Sequence, residues 1–402
     1  MNRRKFISAA IAATVATSIA CAEDKPRKIL LRSSWQTTNI GDIAHTPGML
    51  ALLEKHRPND SVTLWPKGLN AEVEKILTTR FPKLKIVRTR AEQDAALNAC
   101  DFFLHGSGPG LVGVAEAERA RKAGKPYGFA GITLNDEELK DQRELLAGAK
   151  FVFTRDGDSL KALQKADIKG PKVAFGPDAT FALDLRDDVA ADKLFKEHNL
   201  EEGKFLCAVP RLRWTPYWEI NLETTKPNPQ RSAVNEAFAD RDHAKMREAI
   251  IAWVTELKKK VFLVPEMTYE VARLKPLLYD PLPAAIKKNV AVLDRYWLTA
   301  EAASVYARAA AVLSFEMHSP IMAVSAGTPA ILLRQPTDTR KGQMWRDIGL
   351  EKWIFEIDKC TGKEIAERLL ELGQDLPAAR KATEKAKTFA QEKMAEMVKE
   401  IG

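Results

Sequence analysis

The sequence contains few cysteines and no pair of metal ligands at a characteristic spacing. Its 402 residues include four cysteines and six histidines. Beyond the N-terminal segment the cysteines are Cys100, Cys207 and Cys360, and an odd number at such wide spacing is no disulfide framework. Because there is no Cys-x-x-Cys pair and no close pair of histidines, the spacing predicts no metal site.

Glycine, proline and repeats are also too scarce for a fibrous or low-complexity protein. The chain has 21 Gly and 21 Pro, and it shows no internal repeat. Apolar residues make up 45% and charged residues 29%, which is typical of a soluble globular protein. A length of 402 residues suggests about two domains.

The first 22 residues have the pattern of a secretory signal peptide. A basic head with Arg3 and Arg4 precedes an apolar stretch at 9–19 and a small-x-small site around Cys21. The apolar stretch is too short to cross a bilayer as a stable helix, and the adjacent arginines resemble a twin-arginine export signal. We therefore expect an exported, periplasmic or extracytoplasmic protein, or a cytoplasmic one if this signal is misread. Lipidation of Cys21 stays open, although Ser18 occupies a position that favours a bulky aliphatic residue.

The charge balance is moderately basic. Lys and Arg number 62 against 54 Asp and Glu, which gives a formal charge of +8. Three of these positive charges lie in the 1–22 segment. The remaining excess permits an anionic partner, but it is too small to indicate a nucleic-acid partner.

Apolar and amphipathic segments alternate along the rest of the chain. This alternation predicts an α/β fold with two Rossmann-like doubly wound domains that face a cleft. We expect an N-terminal domain at 23–190, a C-terminal domain at 200–376, and a helix at 377–402 that crosses back. A ligand would bind in the cleft, near the carboxyl ends of the strands. Strands are predicted at 28–32, 61–65, 84–87, 101–104, 127–132, 151–154, 172–175, 205–209, 261–264, 290–293, 311–315 and 330–333.

Local signals mark some of the helices and one irregular segment. Asn135 with Glu138 and Thr361 with Glu364 form capping boxes, which predict helix starts. The stretch 210–240 holds four prolines and is predicted to be a long irregular insertion. An amphipathic helix is predicted to follow at 242–258.

Asn39, Gly41 and Asp42 follow the first predicted strand and precede a helix. A helix N-terminus offers free backbone N–H groups to an anion or to a substrate oxygen. Asp42 is a candidate general base or hydroxyl ligand. The alternative interpretation is a turn that only caps the helix.

A glycine-rich turn with Gly106, Ser107 and Gly108 follows another predicted strand. Its glycines would let the backbone approach a ligand closely. It is no P-loop, because Gly-Lys-Ser/Thr does not follow. Tight packing explains the glycines equally well.

Arg155 and Asp178 also stand just after predicted strands. Arginine suits bidentate binding of a carboxylate or phosphate. The alternatives are an ordinary ion pair of Arg155 with Asp156 or Asp158, and a structural turn at Asp178.

Arg211 and Arg213 are interleaved with aromatic residues after a further strand. They are candidates for an anion-binding lid. They could equally clamp the insertion by apolar packing and cation–π contact. One such cluster is weak support for binding of single-stranded nucleic acid.

His318 lies near the start of a predicted helix and next to a predicted strand end. A histidine in this position is a candidate acid or anion contact. A capping or core histidine is the alternative.

These loops together resemble the polysaccharide pyruvyl transferase family. The resemblance covers roughly residues 30–357 and rests mainly on the order of five short motifs. It implies a fold similar to that of GT-B glycosyltransferases. It also implies transfer of a pyruvyl group from phosphoenolpyruvate to a sugar hydroxyl of a glycan, with no metal or organic cofactor. The motifs are Asn39-x-Gly41-Asp42, Gly106 to Gly110, Thr154-Arg155-Asp156, Gly176-Pro177-Asp178, and Met317-His318-Ser319 leading to Gly327-Thr328-Pro329.

The resemblance also implies roles for the loop residues. Arg155 and His318 would meet the carboxylate and phosphate of the donor, or His318 would protonate its methylene carbon. Asn39, Gly41 and Asp42 would line the acceptor side or orient the sugar hydroxyl, and Lys341 resembles a basic residue of the family. The implied catalytic residues are His318 and Asp42, and the implied substrate-binding residues are Asn39, Gly41, Gly106, Ser107, Gly108, Arg155, Asp178, Arg211, Arg213 and Lys341.

Glu316 departs from the family pattern. It stands two residues before His318, where the family usually has an arginine. Phosphoenolpyruvate is also a cytoplasmic metabolite, whereas the N-terminus favours export. Three interpretations remain: a pyruvyl transferase, an exported non-catalytic glycan-binding relative on the same scaffold, and a GT-B glycosyltransferase.

Overall fold

The computed structural model describes residues 25–221 and 223–402. The signal peptide predicted at 1–22, with Cys21, lies outside the described residues.

The first half of the chain forms a parallel sheet of seven strands in the order β3-β2-β1-β4-β5-β6-β7. The register pairs Leu31 of β1 with Leu64 of β2 and with Leu104 of β4. Chain order therefore reverses between β1 and β4. The strands are β1 Lys28–Ser33, β2 Ser61–Pro66, β3 Lys85–Ile86, β4 Phe102–His105, β5 Tyr127–Ile132, β6 Phe151–Thr154 and β7 Lys172–Phe175.

The second half repeats this arrangement with six parallel strands in the order β10-β9-β8-β11-β12-β13. Strands β8 and β11 are buried along their whole length, as parallel strands covered by helices on both faces must be. The prediction of two doubly wound α/β halves is confirmed. The strands are β8 Phe205–Val209, β9 Lys260–Leu263, β10 Val290–Val292, β11 Ala311–Ser314, β12 Ala330–Arg334 and β13 Ile354–Glu356.

Helices connect the strands and cover the sheets. Short 3-10 turns lie at Ala179–Ala182, Thr268–Glu270, Arg340–Gln343 and Glu351–Trp353, and a π-helical turn lies at Lys275–Tyr279. The α-helices of the described residues are α1 Ile40–His56, α2 Ala71–Arg80, α3 Arg90–Ala99, α4 Val114–Lys122, α5 Asp136–Asp141, α6 Arg143–Ala147, α7 Gly157–Lys165, α8 Asp188–Glu197, α9 Tyr217–Ile220, α10 Pro229–Leu257, α11 Val271–Leu274, α12 Ala284–Lys287, α13 Thr299–Ala307, α14 His318–Ser325, α15 Met344–Asp347, α16 Gly362–Gln374 and α17 Leu376–Lys399.

Helix α1 is the central element between the two halves. Nearly all of its residues from Ile40 through Leu53 are buried, as expected for a helix that is covered on most sides. It packs against the 3-10 turn of the first half and against α13 and α14 of the second half. The side chain of Thr299 at the start of α13 donates to the carbonyl of Ile40 over 2.7 Å. Residues at the start of α1 therefore lie where the halves meet.

The prediction of an irregular insertion is wrong for residues 229–240. Helix α10 begins at Pro229 and runs without interruption to Leu257. Asn228 caps it by accepting from the backbone N–H of Arg231 over 3.0 Å. A proline at the first helical position needs no N–H partner and has a preset φ, so Pro229 starts this helix rather than preventing it.

The final helix crosses back to the first half, as predicted. Helix α17 packs against α1 and α14. Phe389 of α17 stacks on Phe175 of β7 with ring centroids 6.1 Å apart. Among the described residues, every helix falls short of the length or the apolarity that crossing a bilayer would require.

Candidate active site

The two chain reversals place four loops at one interface. In open α/β sheets, ligands bind at the carboxyl ends of the strands where chain order reverses. The loops after β1 and β4 carry Asn39 and the Gly106–Gly110 turn, and those after β8 and β11 carry Arg211 and His318. Sheet topology therefore brings together motifs that are far apart in the sequence.

The loop before α1 joins the two halves. The side chain of Asn39 caps α1 by accepting from the N–H groups of Gly41 and Asp42 over 2.7 and 3.3 Å. Its amide also donates to Glu266 of the second half over 3.4 Å. The backbone N–H of Ile40 donates to the carbonyl of Glu266 over 3.1 Å, and Asn39 forms a β-bridge with Met267. Asn39 thus fixes both the helix start and the contact between the halves.

Gly41 allows a close approach of the two halves. A Cβ atom on this residue would lie 2.0 Å from Cγ of His318. Real Cβ contacts are much longer, so any larger residue at this position would displace the imidazole. The glycine is required by this close approach and not by its φ.

Asp42 lies in the first turn of α1 and is 6% exposed. Its Oδ2 accepts a hydrogen bond from the side chain of Gln36. Its Oδ1 lies 3.9 Å from Nε2 of His45, one helical turn further along. Asp42 therefore presents one oxygen toward the imidazole of His45.

His45 is a member of the site that sequence analysis missed. Its side chain is fully buried, and its Nδ1 lies 3.0 Å from Oδ1 of Asp178 and 2.5 Å from Oγ of Ser107. The hydroxyl of Ser107 also accepts from the backbone N–H of Ala179 over 3.1 Å. The only sequence signal was its position three residues after Asp42, which places both on one face of a helix.

Arg155 and Asp178 form a buried ion pair behind His45. Nη1 of Arg155 lies 2.5 Å from Oδ2 of Asp178, and its Nε donates to the hydroxyl of Thr133 over 2.9 Å. Burial opposes ionisation of Asp178, but His45 and Arg155 hold the pKa of its carboxyl well below the ordinary value. In the described structure these two residues position His45, and the guanidinium of Arg155 is engaged by protein groups.

His318 comes from the second half and faces His45. The two rings meet edge to face with centroids 5.0 Å apart. Nδ1 of His318 lies 3.0 Å from Oε1 of Glu266, whose Oε2 accepts from the N–H and hydroxyl of Ser319 over 2.6 and 2.8 Å. Burial, Lys341 and His45 lower the pKa of His318 to about 3, so its imidazole is neutral at pH 7.

Four charged side chains, two cationic and two acidic, line a small cavity next to His318. Nε of Arg211 lies 3.0 Å from Oε1 of Glu316, as an ion pair and not an aligned hydrogen bond, and Arg211 also pairs with Asp338. Burial lowers the pKa of Lys341, and Glu316 opposes that shift. The cavity bounded by Arg211, Glu316, Asp338 and Lys341 has a volume of about 10 Å³, which is room for one water.

Glu270 is another acidic residue of this region that the sequence did not suggest. Its Oε2 accepts from the backbone N–H groups of Glu266 and Met267 over 2.6 and 3.1 Å. Burial, together with the nearby carboxylates of Glu316 and Glu266, raises its pKa well above the ordinary value. Glu270 therefore holds a proton under conditions in which exposed carboxyl groups are ionised.

Arg213 and the glycine-rich turn are engaged in packing. Arg213 makes a bidentate contact with Asp242 over 2.7 and 3.0 Å and stacks on Phe238. A Cβ on Gly108 would lie 2.6 Å from Nε1 of Trp35, so this glycine permits tight packing. Gly106 likewise lies close to Ser33. These contacts match the clamp and the tight-packing interpretations of the sequence.

A sequence model of the polysaccharide pyruvyl transferase family matches residues 39–335, well over half of the chain. The chain belongs to this family. The match begins at Asn39 and includes His45, Arg155 and His318. No curated protein matches the sequence.

Solved structures with a similar fold include several sugar-nucleotide enzymes of GT-B type. Anabaena HepE in complex with UDP and glucose has a TM-score of 0.57 at 12% identity, over 93% of this chain and 98% of that one. UDP-GlcNAc 2-epimerase from Neisseria meningitidis, bound to UDP-GlcNAc, has a TM-score of 0.55 at 14% identity, over 92% and 98%. E. coli ADP-heptose LPS heptosyltransferase II has a TM-score of 0.51 at 12% identity, over 87% and 99%.

At these identities the structural likeness establishes the fold alone. The fold is GT-B-like, with two parallel-sheet α/β halves. Together with membership of the pyruvyl transferase family, it supports a glycan-modifying function.

Proposed function

We propose that this family member transfers the pyruvyl group of phosphoenolpyruvate to two hydroxyls of one sugar in a glycan. The observation that carries the proposal is the convergence of the family's loop motifs on one cleft. There Asp42 and the imidazoles of His45 and His318 lie beside a cavity lined by Arg211 and Lys341. The carboxylate and the imidazoles suit the binding of sugar hydroxyls, and the two cationic side chains suit the binding of a small anion.

The proposed reaction converts an enol phosphate into a cyclic ketal. The methylene carbon of phosphoenolpyruvate takes a proton, and one sugar hydroxyl adds to the carbon that bears the phosphate. The bond between that carbon and the phosphate oxygen breaks, inorganic phosphate leaves, and the second hydroxyl closes the ketal. The two sugar hydroxyls release two protons. One replaces the proton given to the methylene carbon, and the other protonates the departing phosphate.

Asp42 and the histidines form the proposed acceptor side. Asp42 is placed to accept a hydroxyl proton, because its Oδ1 faces the cluster while Gln36 holds its other oxygen. His318 is neutral at pH 7, so it suits hydroxyl binding better than proton donation. In this proposal Asn39 and Gly41 set the approach of the two halves.

Arg211 and Lys341 form the proposed donor side. A phosphoenolpyruvate trianion needs two or three cations, and these two side chains line the same cavity. The cavity is too small for a phosphate group, so binding requires movement of these side chains or of the halves. Glu316 offsets part of their positive charge.

Glu270 is the proposed source of the proton for the methylene carbon. A carboxyl group kept protonated by burial and by neighbouring carboxylates is a suitable general acid at neutral pH. Its Oε1 is buried and has no hydrogen-bond partner among the described residues. Ser107, Arg155 and Asp178 act through His45, as positioning residues.

The test is formation of a ketal from labelled phosphoenolpyruvate. The purified chain is incubated with phosphoenolpyruvate labelled in its carbon skeleton and with a panel of glycans. The expected result is label in the glycan, in an acid-labile form, with loss of label in Asp42→Asn. Label transfer from UDP-glucose instead would favour a glycosyltransferase. Glycan binding without any transfer would favour the non-catalytic interpretation.

Export of the chain is a separate proposal that rests on the sequence alone, because the predicted signal peptide lies outside the described residues. We propose that the twin-arginine route exports the chain. A double variant, Arg3→Lys with Arg4→Lys, should stay in the cytoplasm. Export of that variant at the level of the unaltered chain would exclude the route.

A further inference from the structure

Two buried imidazoles meet at the junction of the halves with one ring nitrogen each left without a partner. His45 lies on α1 of the first half, and His318 begins α14 of the second. Their ring centroids are 5.0 Å apart. Within the described residues, Nε2 of neither ring makes a hydrogen bond, although both side chains are more than nine-tenths buried. Buried polar atoms are normally paired, so this pair calls for a ligand.

A carboxylate orients each imidazole by contacting its Nδ1, the ring nitrogen other than the unpartnered Nε2. Nδ1 of His45 lies 3.0 Å from Asp178, and Nδ1 of His318 lies 3.0 Å from Glu266. In a neutral imidazole, the ring nitrogen that donates to a carboxylate carries the only proton, which leaves a lone pair on the other nitrogen. Histidines that bind metals are held in this way, with the second nitrogen donating to a carboxylate.

A third carboxylate lies beside Nε2 of His45. Oδ1 of Asp42 is 3.9 Å from Nε2 of His45, and its Oδ2 is held by Gln36. Asp42 and His45 are three residues apart on α1, so their side chains share one face of the helix. All three candidate ligands thus have an outer partner that fixes their orientation.

The local charge favours a cation in spite of two nearby basic side chains. Potential ligand atoms of His45, Asp178 and His318 lie within 4.8 Å of one another, and Asp42 adds a further carboxylate. The guanidinium of Arg155 is bonded to the far oxygen of Asp178 and to Thr133. The charge on Lys341 is offset by Glu316 and Glu266.

We propose that Asp42, His45 and His318 bind one divalent transition-metal ion at the junction of the halves. Two imidazoles and one carboxylate favour ions such as Zn²⁺ or Co²⁺ over Mg²⁺ or Ca²⁺. The same three side chains form the acceptor side of the cleft in the proposed function. The inference shares this cleft with the proposed function but does not rest on the transfer reaction, and binding is measured without donor or acceptor.

The test is titration of the metal-free chain with Co²⁺, using protein prepared without a polyhistidine tag. We expect one ion per chain by calorimetry, with visible absorption bands that Zn²⁺ abolishes and Mg²⁺ leaves unchanged. His45→Asn and His318→Asn should each weaken Co²⁺ binding by at least about 100-fold, and Asp42→Asn by at least about tenfold. His198→Asn, a partly exposed histidine on another surface, should bind as the unaltered chain does.

Two results would overturn the proposal. One is no Co²⁺ absorption in a chain that unfolds cooperatively and is therefore folded. The other is unchanged affinity in the double variant His45→Asn with His318→Asn. If a variant fails to fold, thermal unfolding of the unaltered chain at increasing Zn²⁺ concentrations tests the proposal instead. A bound ion must raise the unfolding temperature in proportion to the logarithm of the Zn²⁺ concentration.

Discussion

Replacing Glu316 by glutamine removes one negative charge from the wall of the cavity that is proposed to bind the donor. The carboxylate is 3% exposed and lies 3.0 Å from Nε of Arg211. It also supports the charged form of Lys341. Glutamine keeps the shape of the side chain. Arg211 keeps Asp338 as a partner, so the fold should survive the change.

The expected gain in anion affinity follows from Coulomb's law. At an effective dielectric of about 20, a unit charge about 6 Å away contributes about 3 kcal/mol per charge on the ligand. Relaxation of the cavity and partial protonation of the ligand reduce this figure. If half of this contribution is retained and the ligand carries one charge, the gain in binding free energy is about 1.4 kcal/mol, or about tenfold in affinity. We therefore expect Glu316→Gln to bind phosphoenolpyruvate at least about ten times more tightly than the unaltered chain does.

Calorimetry with phosphoenolpyruvate and with inorganic phosphate measures this difference. The control is Glu396→Gln, which removes an exposed carboxylate that pairs with Lys393 on the final helix. It should leave both affinities unchanged. The reasoning is refuted if folded Glu316→Gln binds phosphoenolpyruvate no more tightly than the unaltered chain, because Glu316 would then not lie in the field of the ligand.

Three further predictions concern the junction and its supports. Gly41→Ala should lower the rate of transfer by at least about 100-fold by displacing His318, and unchanged kinetics would contradict the close approach. Arg155→Met should reduce the free energy of unfolding by about 3–5 kcal/mol in urea, because it leaves Asp178 buried without its partner, and a loss below about 1 kcal/mol would contradict this. Burial lowers the pKa of His105 to about 4, so the unfolded chain binds more protons there, and stability falls as pH drops from about 6.5 to 4. Between pH 7.5 and 5 this amounts to about 2 kcal/mol, which urea titrations of His105→Gln should lack, and an equal pH dependence in the variant would refute it.

Features encoded by neighbouring residues could be predicted from the sequence. The capping boxes of Asn135 with Glu138 and of Thr361 with Glu364 are confirmed, because each needs only residues three positions apart. Alternation of apolar segments predicted both sheets, since buried parallel strands form continuous apolar runs. The start of α10 at Pro229 was missed because proline breaks a helix interior but favours its first turn.

The partners of the site residues could not be predicted, because they depend on packing between the halves. His45 is a single histidine in an apolar helix, and only the fold brings Asp178 and His318 to it. Glu266 follows β9 in a segment without any motif, yet it orients His318 and accepts from Ile40. The sequence indicated which loops carry the site. It did not indicate which side chains are hydrogen-bonded to one another.

Release of inorganic phosphate from phosphoenolpyruvate tests the central claim most directly. The unaltered chain should release phosphate only when a suitable glycan is present, in step with loss of two hydroxyls from that glycan. Asp42→Asn should reduce the rate by orders of magnitude. A folded chain that releases no phosphate with any glycan, or that releases it equally without one, would contradict pyruvyl transfer at this cleft.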